Sequence, residues 1–100
     1  MAFEDGAFSA TLAAAAGDDP VLRAELRQAF RDSLEHHIDL LRRSRCDANW
    51  VTSAQRIRSL AASFCADELM DLAAEAGSAA PGDPVIVTRL EAFLEALGTR

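Results

Sequence analysis

Apolar residues recur at helical spacing along the chain, and the longest such pattern lies between residues 18 and 44. It places seven residues on one broad stripe: Leu22, Leu26, Phe30, Leu34, His37, Ile38 and Leu41. Asp18, Asp19 and Pro20 precede the stripe, and they combine a capping carboxylate with a proline whose missing N–H costs nothing in the first turn. The pattern predicts a long helix from about Asp18 to Ser44.

Two shorter apolar patterns follow this helix. One predicts a third helix from about Asp47 to Cys65, with Leu60 at the edge of its apolar face. The residues predicted to form that face are Trp50, Ala54, Ile57, Ala61 and Phe64. The other predicts a fourth helix from about Asp67 to Ala76, whose predicted buried residues are Leu69, Leu72, Ala73 and Ala76.

The remaining patterns lie at the two ends of the chain. A first helix is predicted over about 3–16, with Phe8, Leu12 and Ala15 on one face and Gly17 at its end. A fifth helix begins with Asp83 and Pro84, and its predicted buried residues are Ile86, Leu90, Phe93 and Leu97. The segment 85–88 resembles a strand, but a lone strand has no partner, so we predict the first turn of this helix.

These five segments predict the fold class. Four amphipathic helices joined by short loops favour an all-α, up-down-up-down antiparallel four-helix bundle, to which the first helix is a short N-terminal addition. A length of 100 residues fits one hydrophobic core, so we predict a single domain over 1–100, with the bundle at about 18–97.

Composition and charge narrow the function. Strong helix formers dominate and β-branched residues are sparse, as an all-helical fold requires. A net charge of -6 and a pI near 4.7 argue against nucleic-acid partners. No apolar run is long enough to span a membrane, and the acidic start of the chain lacks a secretory signal, so we expect no membrane partner and a cytoplasmic location. Cys46 and Cys65 lack metal-binding spacing and are expected to be reduced thiols.

The polar side of the third helix is unusual because its side chains are small. At about 100° per residue, the side opposite the apolar face carries Thr52, Gln55, Arg56, Ser59, Ala62 and Ser63. Solvated helix faces are usually rich in Glu, Lys and Arg. A row of short, nearly uncharged side chains allows another protein to approach the backbone closely, although an alanine-rich chain also places small residues there by chance.

The run from Ala54 to Ala66, followed by Asp67, Glu68 and Leu69, resembles the central motif of histidine-containing phosphotransfer (HPt) domains. In that family the motif reads Ala, His, any residue, Leu, Lys, Gly, any residue, Ala, and a later Gly-Ala pair leads into the next helix. The agreeing positions are Ala54, Ile57, Ala61, Ala66 and Leu69, and Arg58 keeps the positive charge of the family's lysine. With the helix order and the length, the resemblance covers roughly 18–97.

The sequence departs from the family at the residue that carries the chemistry. HPt domains hold the phosphoryl group on an exposed histidine that attacks the phosphoaspartate of a receiver domain, and Gln55 occupies the matching position. A carboxamide nitrogen is not such a nucleophile, because its lone pair is delocalised into the carbonyl. Ser59 and Cys65 stand where the family has glycines. The resemblance therefore implies a phosphotransfer-deficient binding module with no catalytic residue.

The predicted function is that of an HPt-like phosphorelay module in two-component signal transduction. The expected partner is the receiver domain of a response regulator or of a hybrid histidine kinase, and no cofactor or metal is expected. The predicted partner-binding residues are Thr52, Gln55, Arg56, Arg58, Ser59 and Ala62. The resemblance implies that Arg58 and Arg56, with Arg42, Arg43 and Arg45, face the acidic pocket of a receiver. The last three also suit the negative end of a helix dipole, where they would simply be solvated.

Two alternatives stay open. An active phosphotransfer protein would use another histidine, because His36 and His37 lie about as far before the turn near Cys46 as Gln55 lies after it. His36 falls on the polar side, whereas His37 falls in the apolar stripe, where a buried or boundary role is commoner. Adjacent histidines lie about 100° apart on a helix and do not chelate one metal together. The second alternative is a structural bundle that forms a homodimer through the small-residue face.

Overall fold

The computed structural model describes residues 6–98, and this range forms five α-helices without a strand. They are α1 (Gly6–Ala16), α2 (Pro20–Arg42), α3 (Asp47–Ser63), α4 (Asp67–Ser78) and α5 (Pro84–Ala96). The predicted all-α class is confirmed, and the segment 85–88 is indeed the first turn of α5. Residues 3–5 of the predicted first helix lie outside the described residues.

Aspartate caps and first-turn prolines start two of the helices where the sequence predicts. The Asp19 carboxylate accepts hydrogen bonds from the backbone N–H groups of Val21 and Leu22 at 2.9 and 3.2 Å. At the start of α5 the Asp83 carboxylate accepts from the N–H of Val85 at 2.9 Å. These bonds satisfy backbone donors that have no partner inside the helix, so the start of each helix is fixed locally.

Left-handed residues follow the ends of α1 and α3. Gly17, with φ of 65°, follows α1, as the sequence predicts. At the end of α3, Cys65 takes a φ of 56°, and the N–H of Ala66 donates to the carbonyl of Ala61 at 2.9 Å. This turn closes α3 at Ser63, two residues before the predicted end at Cys65.

One cluster of buried apolar side chains includes residues from all five helices. The largest fully buried members are Trp50, Phe30, Leu34, Leu41, Ile57, Leu69 and Leu90. Two predicted positions are wrong. Ala15 is exposed and Ala16 is buried instead, because α1 buries a narrow line of residues four apart that begins with Phe8. Leu22 is 39% exposed, because the whole first turn of α2 is open to solvent.

The packing contacts connect α2 to α5 in a closed cycle, in which α3 lies between α2 and α4, and α5 contacts both α4 and α2. The Trp50 indole N–H donates to the carbonyl of Ala76 at 2.7 Å and joins the start of α3 to the end of α4. The Arg27 and Arg31 side chains donate to the carbonyls of Leu97 and Gly98 at 2.6 and 2.5 Å, and so join the first half of α2 to the end of α5.

Helix α1 lies outside this cycle and packs against α2. Its Phe8 ring meets Phe30 of α2 at a centroid distance of 4.9 Å, and Phe30 meets Phe64 at the end of α3 at the same distance. The three rings are tilted to one another, and aromatic pairs prefer such tilted arrangements to face-to-face stacking. Helix α1 therefore covers the end of the core at which α3 finishes.

None of the five helices is both long enough and apolar enough to cross a lipid bilayer.

Candidate functional site

All six predicted partner-binding residues lie on the solvent-exposed side of α3. We call this surface the docking face: Thr52, Gln55, Arg56, Arg58, Ser59 and Ala62. The opposite side of the helix is buried against α2 and α4, where Trp50, Ala54, Ile57 and Ala61 are each at most 1% exposed. Helical periodicity alone produces this division, because large apolar residues recur every three or four positions and short polar ones fill the remainder.

Gln55 lies on the exposed side of α3 at the middle of the helix. Its carboxamide makes no hydrogen bond with the described residues, so both its donor and its acceptor are open to solvent or to a partner. The neighbouring side chains on this side, Thr52, Ser59 and Ala62, are short and exposed. A partner that contacts Gln55 could therefore also come close to the backbone of α3, because no long side chain next to Gln55 on this row would hold it away.

The two arginines of the docking face lie on different flanks. Arg56 and Arg58 are two residues apart, so about 160° separates them around the helix axis. Arg56 faces α2, where its positive charge contributes to a lowered pKa of His37. Because Arg58 lies on the other flank, the two guanidinium groups would meet separate parts of a partner.

The arginines at the end of α2 divide between two cavities. Arg43 and Arg45 line a cleft together with Arg56 of α3. Arg42 instead forms an ion pair with Asp39 and lines the cavity that contains His36. The five arginines that the resemblance implied would face a receiver together are thus placed on three separate surfaces.

The cleft between the end of α2 and the start of α3 has a volume of about 560 Å³. Its lining residues are Leu40, Arg43, Ser44, Arg45, Asn49, Thr52, Ser53 and Arg56. Ser53 was not among the residues predicted from the sequence, although it is only 7% exposed. The sequence does carry a signal for this burial. Ser53 lies on the same side of the helix as Trp50, Ala54 and Ile57, which is otherwise apolar.

His37 is half-buried on the side of α2 that faces α3. Its Nδ1 atom is buried and has no hydrogen-bond partner among the described residues. Burial lowers the pKa of the imidazole below its usual value of 6.5, and the nearby charges of His36 and Arg56 lower it further. The neutral ring is therefore favoured, and its Nδ1 atom is not available to a phosphoryl donor.

His36 is exposed, and its ring centroid lies 5.4 Å from that of His37. It lines a cavity of about 420 Å³ with Asp32, Glu35, Asp39 and Glu91. Arg42 lines the same cavity, but four carboxylates outweigh its single positive charge, and the net negative charge repels an approaching phosphoryl donor, which is itself an anion. Electrostatics therefore disfavours His36 as a replacement for the phosphorylatable histidine.

Within residues 6–98 no group of three or more His, Cys, Asp or Glu residues is arranged to hold a metal ion. Cys46 and Cys65 are both exposed free thiols. Comparison of the chain with protein-family models, with curated proteins and with solved structures found no match.

Proposed function

We propose that this protein is an HPt-like signalling module that docks the receiver domain of a response regulator or hybrid histidine kinase without accepting its phosphate. The observation that carries the proposal is the exposure of all six docking-face residues on one helix whose other side is buried. The side chains of Thr52, Ser59 and Ala62, at the centre of this face, are short enough for a partner to reach the backbone near Gln55. Such a module would act in the cytoplasm, where two-component receivers are found.

The proposal includes an antiparallel, up-down-up-down topology for α2 to α5. Contacts between helix ends support it. The start of α3 meets the end of α4 through Trp50 and Ala76, and the start of α2 meets the end of α5 through Arg27 and Leu97. Phe30 in the first half of α2 meets Phe64 at the end of α3. A contact between the start of one helix and the end of another is what an antiparallel arrangement of that pair requires.

The absence of phosphate transfer follows from the chemistry at position 55. A carboxamide forms no stable N–P bond, so a receiver docked at Gln55 would keep its phosphoryl group. The two histidines do not compensate, because the His37 ring is half-buried and His36 lies among carboxylates. Docking without transfer would sequester the receiver or occupy the surface that a phosphate donor needs.

A panel of receiver domains, each phosphorylated, tests binding and transfer in the same reactions. We expect at least one receiver to bind and the protein to acquire no acid-labile phosphate. The variant Gln55→His should regain acceptance, because the surrounding short side chains already expose the position. The matched variant His36→Gln in the same Gln55→His background should accept equally well. Labelling of the unaltered protein, or loss of labelling in the double variant, would contradict the proposal.

A structural homodimer is the competing outcome. If the docking face instead joins two copies, the molecular mass in solution will be twice that of the 10.7 kDa chain and no receiver will bind. Sedimentation of the protein with and without each receiver distinguishes these results.

A further inference from the structure

The cleft between the end of α2 and the start of α3 has a lining unlike the rest of this acidic protein. The chain carries a net charge of -6, yet among residues 6–98 no carboxylate lines the cleft. Three arginines line it, Arg43, Arg45 and Arg56, together with the polar residues Asn49, Thr52 and Ser53. Like charges that converge in this way concentrate a positive potential in a concave surface.

The arginines of the cleft have few partners within the protein. Arg45 and Arg56 form no ion pair or hydrogen bond with the described residues. Arg43 has one contact, from its Nε to an Asp39 carboxylate oxygen at 3.5 Å, and Asp39 is shared with Arg42. Exposed ion pairs of this kind are weak, so most of the guanidinium donors are open to an anion.

Ser53 provides an independent indication of a ligand. It is 7% exposed, lines the cleft and makes no hydrogen bond with the described residues. By contrast, the Ser63 hydroxyl donates to the carbonyl of Ser59 at 3.0 Å, and the hydroxyl of Ser44, two residues after the end of α2, donates to the carbonyl of Leu40 at 2.8 Å. Most of the residue is buried, but its hydroxyl oxygen is not among the buried atoms that lack a partner, so the hydroxyl is open to the cleft and able to donate to a bound anion.

We infer that this cleft binds a phosphate group, either as the free anion or as a phosphate monoester. Guanidinium groups donate paired hydrogen bonds that match phosphate oxygens, and the Ser53 hydroxyl adds a donor from the floor. A phosphate dianion has three acceptor oxygens and two negative charges, so it can bind three guanidinium groups at once. A single carboxylate has two oxygens and one charge, and it satisfies fewer of these donors. The volume of about 560 Å³ leaves room for the organic part of a small ester.

The inference does not depend on receiver docking. The cleft shares Thr52 and Arg56 with the docking face, but Arg43, Arg45 and Ser53 lie outside that face. Inorganic phosphate and receiver binding can be measured separately, so failure of one leaves the other intact.

Titration of the ¹⁵N-labelled whole protein with inorganic phosphate tests the inference. Ionic strength is held constant with sodium chloride, and glycerol phosphate serves as the monoester. We expect saturable shifts of the backbone amides of residues 43–56, with a dissociation constant below about 10 mM. Tighter binding of glycerol phosphate identifies an esterified ligand, and tighter binding of inorganic phosphate identifies the free anion; both support the site.

Matched variants distinguish a specific phosphate site from non-specific electrostatic attraction of the anion to arginines. The double variant Arg45→Gln/Arg56→Gln should weaken phosphate binding at least about tenfold, and Ser53→Ala about threefold, because each removes donors to the anion. Arg23→Gln, near the other end of α2, removes an exposed arginine far from the cleft and should leave the dissociation constant unchanged within about twofold. Shifts that never saturate, or an equal loss in Arg23→Gln, would overturn the inference.

Discussion

His37 places an ionisable group where its charged form is poorly accommodated. A protonated imidazole needs acceptors for both ring N–H groups, yet the buried Nδ1 of His37 has no partner among the described residues. Two neighbouring groups, His36 and Arg56, add positive charge on the same side. The folded protein therefore binds a proton at His37 less readily than the unfolded chain does.

This difference makes stability depend on pH. Because the pKa of His37 in the folded state lies below its usual value of 6.5, the unfolded chain binds more protons as the pH falls through that value. The free energy of unfolding should therefore decrease from about pH 7.5 to about pH 5, and His37→Gln should reduce the decrease. Urea unfolding at several pH values measures it. The exposed control His36→Gln should retain most of the dependence; equal profiles for His37→Gln and the unaltered protein would refute the assignment.

Cys65 adopts a backbone conformation that suits glycine. Its φ of 56° closes α3. Because a side chain at such a φ is strained, Cys65→Gly should raise the free energy of unfolding by about 0.5 to 1 kcal/mol. Cys65→Ala removes the thiol but keeps the Cβ atom, so it should give no gain. Urea denaturation of both variants under reducing conditions measures the difference, and stabilisation by alanine alone would indicate another cause.

The two sides of α3 are expected to respond differently to substitution. Ala62 is exposed, so Ala62→Arg should change the free energy of unfolding by only about 0.5 kcal/mol while it blocks a receiver from approaching the helix. Phe64 packs against Phe30, so Phe64→Ala should cost at least about 2 kcal/mol. Thermal melts and receiver titrations of both variants provide the comparison. If Ala62→Arg unfolds the protein, the docking face is buried in an assembly.

Local patterns explain which elements the sequence could predict. The pairs Asp19-Pro20 and Asp83-Pro84 are capping signals contained within two residues, and they fixed the starts of α2 and α5. The end of α3 was misplaced because the left-handed turn at Cys65 carries no glycine. The docking face followed from helical periodicity alone. The arginine cleft did not, because it forms only when Arg43 and Arg45 are brought beside Arg56 by the packing of α2 against α3.

At the scale of the whole molecule, α1 covers the aromatic end of a core formed by the other helices. Its attachment depends on Phe8 and Leu12, the large apolar residues of α1 that are buried. Phe8→Ala should lower the free energy of unfolding by about 3 kcal/mol, because it leaves a cavity in the core. It should also release α1 from Phe30, because the contact between the two rings is lost. Native-state hydrogen exchange should show the amides of α1 losing protection while those of α3 and α4 keep it. The exposed control Ser9→Ala should change neither, and loss of protection throughout would make α1 part of the bundle core.

The position of Trp50 provides the protein with its own optical reporter. It is the chain's one tryptophan, there is no tyrosine, and the indole is 1% exposed and bonded to Ala76. Its fluorescence should therefore be blue-shifted in the folded state and shift to the red only when α3 and α4 separate. A receiver bound on the far side of α3 would leave this emission in place, so one spectrum distinguishes a variant that has unfolded from one that no longer docks.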